Sequence, residues 1–248
     1  MKIGILGTGH IGKTLARTLA AARHEVKVAN SRGPETIDAE TLATGARAVT
    51  AAEVVTGVEV IILSIPLKRL TDIRPLLADV THEAVVIDTS NYYPGRDGVI
   101  DAIDAGQVES LWVVEQLGRP VGKAWNAIGS ASFADLGKSV GSPDRIAIPV
   151  AADRQLDRDI AMQLVDDSGM DAFDAGSLAE SWRQQPGASA YCTDLRYEEM
   201  AAALAAAEKP RLPNRRDLAV AVIQERLGDA KTNPDTGFLV ALNRAIYM

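Results

Sequence analysis

Cysteine is almost absent from this chain of 248 residues, with Cys192 the single example. One thiol cannot form a disulfide within the chain, and it cannot supply the cysteine cluster of a structural zinc site. No histidine lies near it in the sequence, which favours an inert thiol and no metal site. Because proteins of oxidising compartments commonly carry paired cysteines, the composition predicts a cytoplasmic protein.

The sequence also lacks a long apolar run and a block of basic residues. No segment reaches the ~20 apolar residues that a membrane-spanning helix needs. The apolar N-terminus is broken by glycines and followed at once by Lys13 and Arg17, unlike a signal peptide. Twenty-six basic and 33 acidic residues give a net charge of −7, which disfavours nucleic acid as a partner. We therefore expect a small-molecule partner, with no membrane and no nucleic acid.

Short apolar runs alternate with helical patterns through the first half of the chain. Strands are predicted at residues 2–6, 25–29, 58–65 and 85–88, with weaker candidates at 111–114, 121–125 and 145–150. The last of these contains Pro149, which suggests a strand at the sheet edge. Strands that alternate with helices predict an α/β protein with a doubly wound parallel sheet of the Rossmann type.

A glycine-rich loop follows the first predicted strand and opens the first helix. It consists of Gly7, Thr8, Gly9, His10, Ile11 and Gly12. In this pattern the first glycine permits a tight turn, the second lets the backbone approach a pyrophosphate, and the third lets the helix pack on the strand. The helix N-terminus then offers free N–H groups to the phosphates. We predict that all six residues bind a dinucleotide, with His10 as a loop residue and not a catalytic base.

The end of the second strand selects the dinucleotide. NAD-binding folds usually place a carboxylate there, which holds the ribose 2′-hydroxyl. This chain has Asn30, Ser31 and Arg32 instead. Arg32 can bind a 2′-phosphate through two hydrogen bonds, and Ser31 can donate its hydroxyl. The sequence therefore favours NADP(H) over NAD(H), with all three residues in the cofactor site.

Later strand ends complete the predicted site, because ligands of open α/β sheets bind beyond the carboxyl ends of the strands. The expected cofactor-binding residues are Ser64, Ile65, Pro66, Asn91 and Asn126. For the substrate we predict Tyr92, Trp182, Arg183, Gln184 and Gln185, since large polar and aromatic residues suit a flat polar ligand. Packing is an equally good explanation of Tyr92, and Trp182 can equally anchor the core. No residue is predicted as a catalytic acid or base.

Composition shifts after about Gly176 to alanine-rich helical segments at 196–208 and 215–227, followed by a helix at 237–247. We predict an NADP(H)-binding Rossmann domain at 1–145 and a smaller, largely helical region at 146–248. That region serves substrate binding or dimerisation, and we expect a homodimer. The sequence does not separate a helix that closes the pocket from one that forms a dimer interface.

Four motifs together resemble a known family. They are residues 2–12 with the glycine loop, Asn30-Ser31-Arg32, Asp88-Thr89-Ser90-Asn91 and Lys123-Ala124-Trp125-Asn126. Together they resemble the NADPH-dependent reductases of the deazaflavin coenzyme F-420, over most of residues 1–185. The cytosolic NADPH domain of STEAP-type ferric reductases shares that fold.

The resemblance implies hydride transfer between NADP(H) and a flavin-like ring, with coenzyme F-420 or a flavin as co-substrate. Positioning of the two rings would supply most of the catalysis. On this basis Ser31 and Arg32 hold the 2′-phosphate, and Gly9, His10 and Ile11 line the pyrophosphate.

Two other functions remain open from the sequence. The first is a small β-hydroxyacid or imine dehydrogenase, for which Lys123 and Asn126 have a suggestive spacing. The second is a non-catalytic sensor that binds NADP(H) and uses its C-terminal helices as a partner surface.

Overall fold

The computed structural model describes residues 1–228 and 232–248. Within them, eight strands form one sheet in the order β3-β2-β1-β4-β5-β6-β7-β8. The strands are β1 Lys2–Leu6, β2 Glu25–Ala29, β3 Arg47–Ala48, β4 Val60–Leu63, β5 Val85–Asp88, β6 Gly122–Lys123, β7 Ala147–Ala152 and β8 Asp171–Asp174. Neighbouring strands are parallel except β6 and β7. The predicted Rossmann-type sheet is confirmed.

Helices cover both faces of the sheet. They are α1 His10–Ala21, α2 Ala39–Leu42, α3 Ala51–Val54, α4 Pro94–Asp97, α5 Asp101–Asp104, α6 Glu109–Leu117, α7 Ser130–Asp135, α8 Gln155–Asp167, α9 Tyr197–Ala205, α10 Leu212–Leu227 and α11 Thr236–Tyr247. Short 3₁₀ turns lie at Pro34–Thr36, Leu67–Arg69, Thr71–Ile73, Pro75–Leu77, Leu178–Gln184 and Lys209–Arg211. The crossover from β4 to β5 is therefore built from 3₁₀ turns and has no α-helix.

Strand β4 shows how the sequence builds two core layers. Its four residues are apolar and buried, as expected for a strand covered on both faces. Ile62 packs into the layer that contains Leu15 of α1 and Leu164 of α8. Ile61 points to the opposite layer, which contains Trp112 of α6. Alternate side chains of one strand thus hold helices on both sides of the sheet.

The weaker strand predictions need correction. Residues 111–114 lie in α6 and do not form a strand. Their apolar run was ambiguous, and the buried positions Trp112, Val113 and Leu117 have helical spacing. Of residues 121–125, only Gly122–Lys123 pair as a strand.

Pro149 lies in β7, which sits between β6 and β8, so the predicted edge position is wrong. The proline is tolerated because β6 pairs only with Ala151 and Ala152 of β7. The Pro149 carbonyl accepts a hydrogen bond from the Gln184 side chain instead of a ladder partner.

The C-terminal part continues the sheet before it becomes helical. Strands β7 and β8 extend the sheet past residue 145, and α9, α10 and α11 confirm the three predicted helices. The division into domains at residue 145 stays a prediction. Side chains of α10 and α11, including Ile223 and Leu239, reach back to the carboxyl ends of the first strands.

Candidate functional site

The glycine loop lies where the strand order reverses, between β1 and β4. The Ser64 N–H donates to the Leu6 carbonyl at 2.8 Å and brings the two strand ends together. Gly7 has a φ of +108°, and a Cβ there would lie 2.0 Å from the Ser64 carbonyl oxygen. A Cβ on Gly12 would lie 2.1 Å from the Gly7 carbonyl oxygen. Both positions therefore require glycine for the loop to pack.

Gly9 differs from its neighbours because its missing side chain faces open space. A Cβ at this position would meet no atom of the described residues within 4 Å. Helix α1 begins just after it at His10, and no side chain caps the helix N-terminus. The first N–H groups of a helix have no partner inside the helix, and they attract anions. An open backbone surface beside such a terminus fits the pyrophosphate of a dinucleotide.

Two clefts meet over this loop. One has a volume of about 460 Å³ and is lined by the ends of β1 and β2. The other has a volume of about 450 Å³ and extends to the ends of β5 and β6. Gly9, Ser64, Ile65 and Pro66 line both clefts. A dinucleotide placed across the loop would have one half in each, so we name them the adenosine cleft and the nicotinamide cleft.

The adenosine cleft contains the three residues predicted after β2. Asn30 holds the turn, since its Oδ1 accepts from the Arg32 N–H at 2.9 Å and its Nδ2 donates to Thr36 at 2.9 Å. Ser31 and Arg32 are exposed at its rim. No carboxylate in the described residues pairs with Arg32. Its guanidinium group is therefore available to a phosphate.

Arg69 also lines the adenosine cleft and was not predicted from the sequence. It pairs with Asp72 at 3.1 Å on the exposed turn after β4. No sequence pattern joins this turn to Arg32, because their proximity arises only from the order of the strands.

Asn91 and Asn126 lie together in the nicotinamide cleft, as their strand-end positions predicted. The Asn91 side chain donates to the Asn126 carbonyl at 2.8 Å, and the Asn126 side chain donates to Asn91 Oδ1 at 3.1 Å. Gln184 completes the arrangement, since its Nε2 donates to Asn126 Oδ1 at 2.9 Å. The three amides form a locked set with fixed orientation. The side-chain N–H groups of Asn91 and Asn126 are all used within the protein, so these amides have only oxygen lone pairs left for a ligand.

Behind this wall lies a fully buried ion pair. Lys123 Nζ is 2.6 Å from Asp88 Oδ2 and 2.5 Å from the Ser90 carbonyl oxygen. Both side chains have no exposed surface, and neither lines the nicotinamide cleft. The pair fixes the segment that carries Asn91. Lys123 is not placed to act as the acid of a hydroxyacid dehydrogenase.

The structure does not bring the predicted substrate residues to either cleft, except that Gln184 contacts Asn126. Tyr92 is buried, and its hydroxyl bonds with the Gly98 carbonyl. Trp182 stacks against Arg183, whose guanidinium carbon is 4.3 Å from the ring centre. Gln185 lines a separate cavity of about 140 Å³. A substrate role for these residues stays a prediction.

Tyr93, Tyr191 and Cys192 line the nicotinamide cleft and were missed by the sequence analysis. The two phenol oxygens are 2.7 Å apart. Burial raises the pKa of both phenols above the ordinary value. It also raises the pKa of the Cys192 thiol, which is consistent with an inert thiol. Tyr93 directly follows the predicted Tyr92, but no sequence signal identifies Tyr191.

Backbone strain is concentrated beside the same cleft. Trp125 has a φ of 55° and Cys192 a φ of 51°, values that non-glycine residues rarely adopt. The Cys192 N–H donates to the Ala127 carbonyl at 2.9 Å and ties the two strained segments together. Strained conformations persist where the surroundings hold them firmly, and they are common at functional sites. This observation supports the nicotinamide cleft as the centre of the site.

Comparison with known proteins places the glycine loop in a family of dinucleotide-dependent enzymes. Residues 2–92 match the model of the family described as NADP oxidoreductase, coenzyme F-420-dependent. The protein YjhV of Escherichia coli (strain K12) is 36% identical over 110 residues, which cover 43% of this chain and 74% of that protein. The chain belongs to this family of NADP oxidoreductases. The resemblance stated from the four motifs and the expected enzyme class are confirmed.

Solved structures extend the likeness of this oxidoreductase beyond the matched residues. The hypothetical protein SMa0349 from Sinorhizobium meliloti has a TM-score of 0.68 and 26% identity, covering 79% of this chain and 95% of that one. A protein from Arthrobacter sp. FB24, named as a candidate F-420-dependent NADP-reductase, has a TM-score of 0.57 and 19% identity. That comparison covers 95% of this chain and 98% of the other. At this identity it shows a shared fold, including the C-terminal helices.

A buried carboxyl group lies behind the oxidoreductase's nicotinamide cleft. Burial raises the pKa of Glu109 to about 7, and the nearby Lys123 charge opposes that rise. Glu109 accepts a hydrogen bond from the Tyr92 N–H at 3.1 Å. It lines the small cavity with Gln185 and does not reach the cleft.

Two kinds of feature are absent from residues 1–228 and 232–248. No group of three or more His, Cys, Asp and Glu side chains there could hold a metal ion. No helix there has the length and apolar character needed to cross a membrane.

Proposed function

We propose that this oxidoreductase transfers hydride between NADP(H) and a deazaflavin, coenzyme F-420, or another flavin-like ring. The supporting observation is the nicotinamide cleft, which continues from the glycine loop and is lined by very few charged side chains. Among the described residues, Arg96 is the only lining side chain with a formal charge, and Asp97 pairs with it at 2.8 Å. Amides, phenols, aliphatic hydroxyls, the His10 imidazole, the Cys192 thiol and apolar groups form the rest. Such a wall suits a planar conjugated ring better than a small charged substrate.

The residues of this chain act mainly by positioning. Bound NADPH supplies the hydride from its nicotinamide ring. Gly9 and the N-terminus of α1 hold the pyrophosphate, and Ser31 with Arg32 holds the 2′-phosphate. Asn91 and Asn126 form a fixed wall of the nicotinamide cleft that limits how the ring lies. Orientation of two rings in contact can supply most of the rate enhancement of a hydride transfer.

We also propose that residues 146–248 complete the acceptor side of the site. Tyr191, Cys192, Ile223 and Leu239 all come from this region and line the nicotinamide cleft. Their contacts with the cleft favour a role in closing the pocket. A homodimer interface on other faces of the same helices is compatible with that role.

NADPH oxidation against a panel of acceptors tests the proposed function. The panel contains coenzyme F-420, FMN, ferric chelates, and small carbonyls and imines. We expect turnover with coenzyme F-420 or FMN and none with the carbonyls or imines. Turnover with carbonyls or imines alone would support a dehydrogenase of the hydroxyacid or imine type. NADPH binding without turnover on any acceptor would support the sensor.

Replacement of Arg32 by alanine is expected to weaken NADPH binding by about 10- to 100-fold, because two charge-assisted hydrogen bonds to the 2′-phosphate are lost. NADH affinity should not change, since NADH carries no 2′-phosphate. Titration of both dinucleotides by tryptophan fluorescence measures the two effects. Arg47→Ala is the control, because Arg47 is a 62% exposed partner of Glu25 outside both clefts. Unchanged NADPH affinity in Arg32→Ala, with NADH bound equally well, would refute the 2′-phosphate assignment.

A further inference from the structure

Tyr93 and Tyr191 share two hydroxyl protons at the wall of the nicotinamide cleft. Their oxygens are 2.7 Å apart, so one of the two protons lies in the hydrogen bond between them. Asn91 Nδ2 also lies 3.3 Å from the Tyr191 oxygen and donates to it. Either phenol can be the donor between them; when Tyr191 accepts from Asn91 and donates to Tyr93, the Tyr93 proton has no acceptor among residues 1–228 and 232–248.

Exposure distinguishes the two phenols. Tyr191 is buried, with 8% of its surface exposed, whereas Tyr93 is half-buried. The strained backbone at Cys192, immediately after Tyr191, is tied to Ala127 and fixes this end of the pair. Both phenols line the cleft, and Tyr93 is the more exposed residue of the pair, so it is the better placed of the two to meet a molecule there.

The surroundings keep Tyr93 protonated, because the effect of burial on its pKa outweighs the groups that favour the anion. Burial raises the pKa of Tyr93, while the hydrogen bond from Tyr191 and the Arg96 charge oppose that rise. The Arg96 guanidinium carbon lies 5.4 Å from the centre of the Tyr93 ring. No carboxylate in the described part of the chain lines the cleft. A neutral phenol with a hydrogen-bond donor behind its oxygen has the properties of a general acid.

We propose that Tyr93 is the proton donor for the hydride acceptor and that Tyr191 is the residue that positions Tyr93 and stabilises its anion. This role rests on the proposed function. Reduction of a deazaflavin or flavin ring takes up a hydride at one ring atom and a proton at a ring nitrogen. The Tyr93 O–H bond breaks as that N–H bond forms, while NADPH is oxidised and the acceptor ring is reduced. The Tyr93 oxygen is then held by the Tyr191 hydroxyl and takes a proton from solvent water.

Tyr93→Phe keeps the ring and removes only the hydroxyl. We expect kcat with coenzyme F-420 to fall about 10- to 100-fold, because hydride transfer then proceeds without a positioned proton donor and solvent protonates the ring only afterwards. NADPH affinity should stay unchanged, and the slowing of single turnovers in D₂O should disappear. Tyr191→Phe should lower kcat less and should keep part of the D₂O effect. Tyr197→Phe is the control, since that tyrosine is 52% exposed on α9 and lies outside the cleft.

The outcomes separate the two proposals. If the unchanged enzyme turns over and Tyr93→Phe has the same kcat and the same D₂O effect, the proton-donor role is wrong and the proposed function stands. Absence of turnover with every flavin-like acceptor would overturn the proposed function and the donor role with it. If Tyr93→Phe does not fold, single turnovers of the unchanged enzyme decide. A combined slowing by D₂O and by NADPH deuterated at the transferred position supports proton donation within the hydride step, and no D₂O effect contradicts it.

Discussion

Lys123→Met is expected to lower the free energy of unfolding by about 3–5 kcal/mol, as found when one member of a buried ion pair is removed. The Lys123 Nζ has no exposed surface and contacts both Asp88 Oδ2 and the Ser90 carbonyl. Without it, the Asp88 carboxylate remains buried, and the Ser90 N–H, at 3.0 Å, is its remaining donor in the part of the chain that the structure describes. Urea denaturation followed by circular dichroism measures the loss.

The double variant Asp88→Asn with Lys123→Met is the control for this prediction. It removes both charges, so it should recover most of the stability lost by the single variant. If the double variant loses as much stability as the two single variants together, the ion pair is not the cause of the loss.

Loss of activity in a Lys123 variant does not identify a catalytic lysine, because the segment that carries Asn91 depends on this pair.

Gly9→Ala is expected to weaken NADPH binding by more than about 100-fold, which corresponds to roughly 2.7 kcal/mol. The added methyl group meets no atom of residues 1–228 and 232–248 within 4 Å, so the folded protein should keep its stability. The methyl group would instead occupy the space through which a pyrophosphate approaches the backbone. Titration with NADPH and thermal unfolding, measured on the same sample, separate the two effects.

Two other glycines provide controls for Gly9→Ala. Gly95→Ala also adds a methyl group with no atom within 4 Å, but it lies outside both clefts and should change nothing. Gly12→Ala should lower stability directly, because its Cβ would lie 2.1 Å from the Gly7 carbonyl oxygen. NADPH affinity of Gly9→Ala equal to that of the unchanged protein would show that no dinucleotide binds on this loop.

The sequence was most informative where one local rule decides a position. Alternating apolar runs and helical spacing predicted β1, β2, β4 and β5 in the order found, because each depends on neighbours along the chain. The glycine loop can be recognised from its position between a predicted strand and a predicted helix. The amides of Asn91 and Asn126 followed from the rule that parallel strands end at the same edge of a sheet.

Sequence alone failed where irregular backbone decides which way a side chain points. It selected Tyr92, but the chain leaves β5 without a regular period and turns Tyr93 towards the cleft. It gave no indication of Tyr191, which is 98 residues from Tyr93 and meets it only through packing of the C-terminal region. The short run at 111–114 fits a strand and a helix equally until α6 is seen packed against the sheet.

The sequence by itself determined the class of fold, the family and the class of enzyme, and it predicted the glycine loop and Arg32 as the site for NADP(H). The tertiary structure alone decided that Lys123 is a buried partner of Asp88 and that two phenols form a pair at the cleft. The physical reason is the separation along the chain. The sequence patterns of loops and strands depend on residues that are close in sequence. An ion pair 35 residues apart and a phenol pair 98 residues apart arise only when the packed sheet brings distant segments together.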